Sequence, residues 1–178
     1  MKQLILAAAA ATAALVITAS AQTPPTPPTP TMLELPSAIR PTGIAVYLEV
    51  PATGVQIYTC GKNQTGAFAW IFKAPEAQLF DTHKAPLGKH YAGPTWEGLD
   101  GGKVVGAVKA STAAPVATAI PWLLLDVKSS EGSGMFTQAK GILRIATAGG
   151  VAPAQGCAEA QSGSENRVPY TATYLFLK

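Results

Sequence analysis

Ile44-Ala45-Val46-Tyr47-Leu48-Glu49-Val50 and, a few residues on, Val55-Gln56-Ile57-Tyr58-Thr59-Cys60 decide the fold. Large apolar residues recur at every second position in the first run, and the second alternates in the same way. Successive side chains of an extended chain point to opposite faces, so a period of two predicts strands with one buried face. Ala52-Thr53-Gly54 between them reads as a turn, which makes the two runs separate strands. Working outward, Phe68, Trp70 and Phe72 fall on one face, and Val104–Val108, Trp122–Val127, Ile142–Ala146 and Tyr170–Leu177 continue the pattern. Trp122-Leu123-Leu124-Leu125 is apolar on both faces and is placed centrally. Asp100-Gly101-Gly102 reads as a hairpin turn, and residues 147–166, rich in Gly, Ala, Ser and Gln, as a long loop. No window carries helical apolar spacing free of Gly or Pro. About eight to ten short strands predict a single all-β domain, an antiparallel β-sandwich or, alternatively, a flattened β-barrel.

The N-terminal part is different. Met1-Lys2-Gln3 is followed by an uncharged run from Leu4 to Ala19 and closes on Ala19-Ser20-Ala21. A basic start, an apolar stretch shorter than the ~20 residues of a spanning helix and small residues at the end predict a cleavable signal peptide, residues 1–21. The expected location is therefore secreted or periplasmic. Residues 22–32 carry Pro24, Pro25, Pro27, Pro28 and Pro30 among threonines. Proline removes backbone donors and fixes φ, so this stretch is expected to be an extended, disordered leader. The all-β domain is assigned to residues 33–178.

The whole chain has a formal net charge of +3 and only 13% charged residues, which is too weak a field to argue for nucleic acid or for a charged membrane surface. The two cysteines, Cys60 and Cys157, are an even count in a chain bound for an oxidising compartment, and are expected to form one disulfide.

The chemical inventory is sparse. There is no Gly-x-Ser-x-Gly elbow, no His-Glu-x-x-His and no phosphate-cradling Gly loop. The histidines are His83 and His90. One segment concentrates functional side chains: His90, Tyr91, Trp96 and Glu97, with Asp100 just beyond. Flat aromatic faces beside hydrogen-bonding groups suit a sugar ring or similar ligand. The competing reading makes Tyr91 and Trp96 core residues around a Gly-Pro turn. Trp96 is expected in the core and His90 partly exposed. Residues 96 and 97 are adjacent, so both serve one site only if a turn or bulge follows Gly93-Pro94. His83, His90 and Glu97 are of metal-ligating types, but a spacing of seven reverses the face of a strand each time, so no metal site is assigned. Glu97 and Asp100 are of the type that serves as general acid and base on a sugar, but two acids three apart across a turn are more often simply solvated, so no catalytic pair is assigned. No cofactor is called for.

Five motifs then come into view: Ala52–Cys60, Phe72–Ala77, His90–Glu97, Ala119–Leu125 and Arg167–Ala172. Together, over residues 33–177, the chain resembles the secreted bacterial and fungal family catalogued as domain of unknown function 3455. The resemblance implies an exported domain with a pair of cysteines and no assigned activity. His90, Trp96 and Glu97 match its pattern, His83 falls in a variable turn, and Gly102 stands where the family motif usually has Ser. The reading carried forward is a non-catalytic module that binds a small molecule, a glycan or an envelope component. The alternatives are an extracellular hydrolase built on the His90–Glu97 segment and a structural envelope protein.

Overall fold

The computed structural model describes residues 22–178. The expected signal peptide lies outside the described residues.

Eight strands follow in order: β1 (Val46–Lys62), β2 (Phe68–Phe80), β3 (Pro86–Tyr91), β4 (Thr95–Gly98), β5 (Lys103–Thr112), β6 (Trp122–Glu131), β7 (Gly141–Gly149) and β8 (Glu165–Leu177). Short 3₁₀ turns at Ser37–Ile39, Met135–Gln138 and Glu159–Gln161 are the only other regular elements among the described residues. Each strand pairs antiparallel with the next, and β8 pairs back on β1, from Val46 opposite Leu177 to Thr59 opposite Glu165. The chain is all-β and antiparallel, as its period-two patterning predicts, and all strands belong to one sheet closed in a ring.

The turn expected at Ala52-Thr53-Gly54 does not form. β1 runs through it unbroken, with Gly54 paired to Ala77 on one side and Tyr170 on the other. Gly54 serves close approach instead: a Cβ there would lie 2.1 Å from the Glu76 carbonyl oxygen and 2.5 Å from the Ala77 Cα. Glycine lets two backbones come together where any side chain would collide.

Two clusters of apolar side chains follow from strand alternation. On β8, Tyr170, Ala172, Tyr174 and Phe176 point into the ring, where they meet Val50, Leu79, Trp96, Val104, Leu125 and Ile142. Leu175 and Leu177 point outward and pack with Trp122, Leu143 and Ile145. This outer cluster is covered by Leu35 and Ile39, with Met32 and Ile44 beside them. The segment ahead of β1 thus lies across the outside of the sheet, its Ser37–Ile39 turn against β5 and β6 and its apolar side chains reaching β7 and β8. Thr29 continues the contact, its hydroxyl donating to Glu49 at 2.8 Å. β8 is therefore buried on both faces from Tyr170 to Leu177, Thr171 and Thr173 included.

Cys60 and Cys157 form a disulfide that ties the 150–164 loop to β1. Tyr58 Oη donates to the Gly150 carbonyl (2.6 Å) and Trp70 Nε1 to that of Gln155 (2.9 Å), so the loop is held at three points. No helix among the described residues is long and apolar enough to cross a membrane.

Candidate functional site

The β3–β4 hairpin sets the site. Its turn is made by Ala92, Gly93 (φ +93°) and Pro94, and Thr95 closes it by donating its hydroxyl to the Ala92 carbonyl at 2.9 Å. A positive φ suits glycine, which has no Cβ to clash. With that register His90 sits directly opposite Trp96, so the two rings share the inner face. They stack at 4.4 Å with 21° between planes. Tyr174 from β8 leans on both, at 5.0 Å from His90 and 5.2 Å from Trp96. Gly106 on β5 makes room for the indole: a Cβ there would lie 3.0 Å from Trp96 Cζ3.

Trp96 is 1% exposed, as expected of a core residue, but His90 is 2% exposed rather than partly open. Both rings are inside because the short hairpin leaves them no other face. His90 Nδ1 lies 2.8 Å from the Thr95 carbonyl oxygen. A carbonyl only accepts, so Nδ1 carries the proton and Nε2 the lone pair. Burial pushes the His90 pKa down to about 3. The Thr95 carbonyl opposes that shift and the nearby Arg144 charge adds to it. The imidazole is neutral at ordinary pH. Trp96 Nε1 is buried without a hydrogen-bond partner among the described residues.

These rings border a cavity of about 190 Å³ at the end of the ring where the β3–β4 turn lies. His90, Trp96, Tyr174 and Leu125 form its buried floor, while Phe72 (54% exposed) and Val108 (57% exposed) stand at its rim. Arg144 on β7 joins the wall. It pairs across the sheet with Leu123 and with Tyr174, which fixes it on the inner face. Its Nε and Nη2 donate to the Pro121 carbonyl at 3.2 and 2.9 Å. Among the described residues no carboxylate pairs with Arg144. The residues bordering the cavity include Lys73 as well as Arg144, and neither Asp nor Glu. Burial raises the Tyr174 phenol, against the pull of Arg144, so it too is neutral and able to donate.

The other residues singled out in the sequence lie elsewhere. β4 is regular, so Trp96 faces inward and Glu97 outward. Tyr91 donates its hydroxyl to Glu97 at 2.6 Å, and Lys89 lies 3.2 Å from the same carboxylate. That hydroxyl first, and Lys89 second, hold the Glu97 carboxyl below its usual range. Glu97 borders a separate surface depression with Gly88 and Leu99. His90 and Glu97 therefore do not meet in one concavity, as the hydrolase alternative requires.

Asp100 belongs to the opposite end of the ring. Its carboxylate accepts from the backbone N–H of Gly102 (3.1 Å) and of Met135 (2.7 Å). This fastens the Met135–Gln138 turn so that Phe136 plugs that end, stacked on Phe176 at 4.7 Å. His83 is in the β2–β3 turn, where Asp81 accepts from its backbone N–H at 2.8 Å. No group of three His, Cys, Asp or Glu side chains that could hold a metal occurs among the described residues.

The sequence reading assigns Arg144, Tyr174 and Phe72 to strands and not to the site. Arg144 did leave a trace: it is the one charge in Ile142-Leu143-Arg144-Ile145, two residues from Ile142 and so on the same face. A lone cation on the apolar face of a strand is a signal worth following.

A family model described as Protein of unknown function (DUF3455) matches residues 41–178. No curated protein and no solved structure matches the chain.

Proposed function

The chain belongs to this family of unknown function, and on that premise we propose that it is an exported, non-catalytic module that holds a small molecule in the cavity above His90 and Trp96. The observation that carries the reading is the cavity itself: an opening at the end of a closed sheet, floored by aromatic rings, with a few polar groups converging on it. Ligand sites of small β-barrels have this form, apolar walls with sparse polar groups that set orientation. Two features favour binding over turnover. The imidazole is neutral, stacked and fixed on a backbone carbonyl, and the nearest candidate acid of the hairpin, Glu97, faces outward. A general acid–base pair needs both groups within reach of one substrate. The Cys60–Cys157 disulfide supports export, since such bonds persist in oxidising compartments.

The test is to close the mouth. Val108 is mostly exposed, so Val108→Trp adds bulk at the rim at little cost to folding. Screening metabolites by thermal shift and calorimetry, we expect ligands that bind the unmodified protein and not the variant, with both proteins melting within a few degrees of each other. Equal binding to both would place the ligand elsewhere and reject the cavity.

A further inference from the structure

We infer that the ligand is a small aromatic acid, its ring against Phe72 above the floor of His90, Trp96 and Tyr174 and its carboxylate on Arg144. This rests on the cavity reading above and adds the chemistry of the occupant. Three observations carry it. The first is size. A cavity of ~150 Å³ accommodates benzene, so about 190 Å³ suits one ring with a short substituent. A disaccharide is too large to be enclosed in that volume. The second is shape. His90, Trp96 and Tyr174 pack on one another as a buried aromatic floor, and Phe72, 54% exposed, offers its ring at the rim. Planar rings gain from stacking and edge contacts on such surfaces.

The third observation is charge. Arg144 and Lys73 are the charged residues of the lining, and both are cations. Lys73 is already neutralised by Glu165 at 2.5 Å, on an exposed surface. Arg144 is not: its guanidinium donates to the Pro121 carbonyl and lies against the Tyr174 hydroxyl, and no carboxylate pairs with it among the described residues. A guanidinium presents five donors in a plane, and a carboxylate matches two of them at once. An anion at this point also offsets a cation held in a largely apolar wall, whereas a neutral ligand of the same shape leaves it uncompensated.

The experiment compares acids with their neutral isosteres on the purified protein. Benzoate, 4-hydroxybenzoate and cinnamate are titrated beside the matching amides, by calorimetry and by the NMR shift of the Trp96 indole N–H. Each acid should bind about 10- to 100-fold tighter than its amide, the usual effect of a charge-assisted hydrogen bond. Arg144→Gln should erase that ratio while leaving amide binding in place, and Arg144→Lys should restore only part of it. Acid and amide binding with equal affinity to the unmodified protein overturns the acid assignment even if a variant fails to fold. If amide binding is then still blocked by Val108→Trp, the cavity reading survives. If no acid and no amide binds, the aromatic-acid assignment falls, and the cavity reading is decided by the metabolite screen against Val108→Trp.

Discussion

His90 stores a pH dependence in the fold. Its pKa is about 3 in the native protein, far below the ordinary value near 6.5, because burial penalises the charged ring. An unfolded chain takes up that proton as pH falls through 6.5, and the folded chain does not. The stability due to a neutral His90 is therefore complete above pH 6.5 and is lost as pH drops toward 3, at about 1.4 kcal/mol per unit. The carboxyls held low, Glu34, Glu97 and Glu165, begin to act only below about 4.5, so the two windows separate. Urea unfolding at pH 6.5 and 4.5 should show a loss of roughly 2–3 kcal/mol, and His90→Gln should flatten that slope whatever its absolute stability. An unchanged slope would mean that His90 is charged in the native state. Asp100 makes a different prediction. Asp100→Ala leaves two backbone donors without their acceptor and should cost ~1–2 kcal/mol, with ligand affinity unaltered because the carboxylate serves the plugged end of the ring. A loss of affinity without a loss of stability would return Asp100 to the binding site.

At the level of the strand and the hairpin, period two finds six of the eight strands, since each has at least one buried face, and passes over β3 and β4, too short and too close to Gly93-Pro94 to show it. It failed at Gly54, where glycine's usual association with turns conceals its other use, letting β2 approach the middle of a long strand. The alternation rule also separates Trp96 from Glu97 once β4 is known to be regular, which the Gly93-Pro94 interruption hid. The partners of His90 were not legible. Tyr174 and Arg144 reach it only through the β7–β8 and β8–β1 pairings, and no local pattern encodes which strands become neighbours in a closed ring. The cavity is likewise a property of several strands at once. Sequence gives the half of the site that one hairpin carries, His90 and Trp96, and misses the half brought from the far side.

For the molecule as a whole, the disulfide and the ring closure act together. Cys60 and Cys157 are 97 residues apart in sequence, and closing so long a loop removes ~4–5 kcal/mol of unfolded-state entropy as an upper figure. Thiol titration of the denatured, unreduced protein should find no free sulfhydryl, and reduction should lower the melting temperature by on the order of 10 °C. Two titratable thiols would remove the bond. The 13-residue β8 also bears on events before the native state exists. It hydrogen-bonds β1, so the strand made first has as its neighbour the strand made last. Until Leu177 arrives, β1 has one unpaired edge and the inner cluster lacks Tyr170, Tyr174 and Phe176. Contacts of such long sequence separation place folding in the slow regime, about milliseconds to seconds for all-β chains. A nascent chain of this design cannot close its ring until β8 has been delivered, and an unclosed ring has no finished core to hold its strands together.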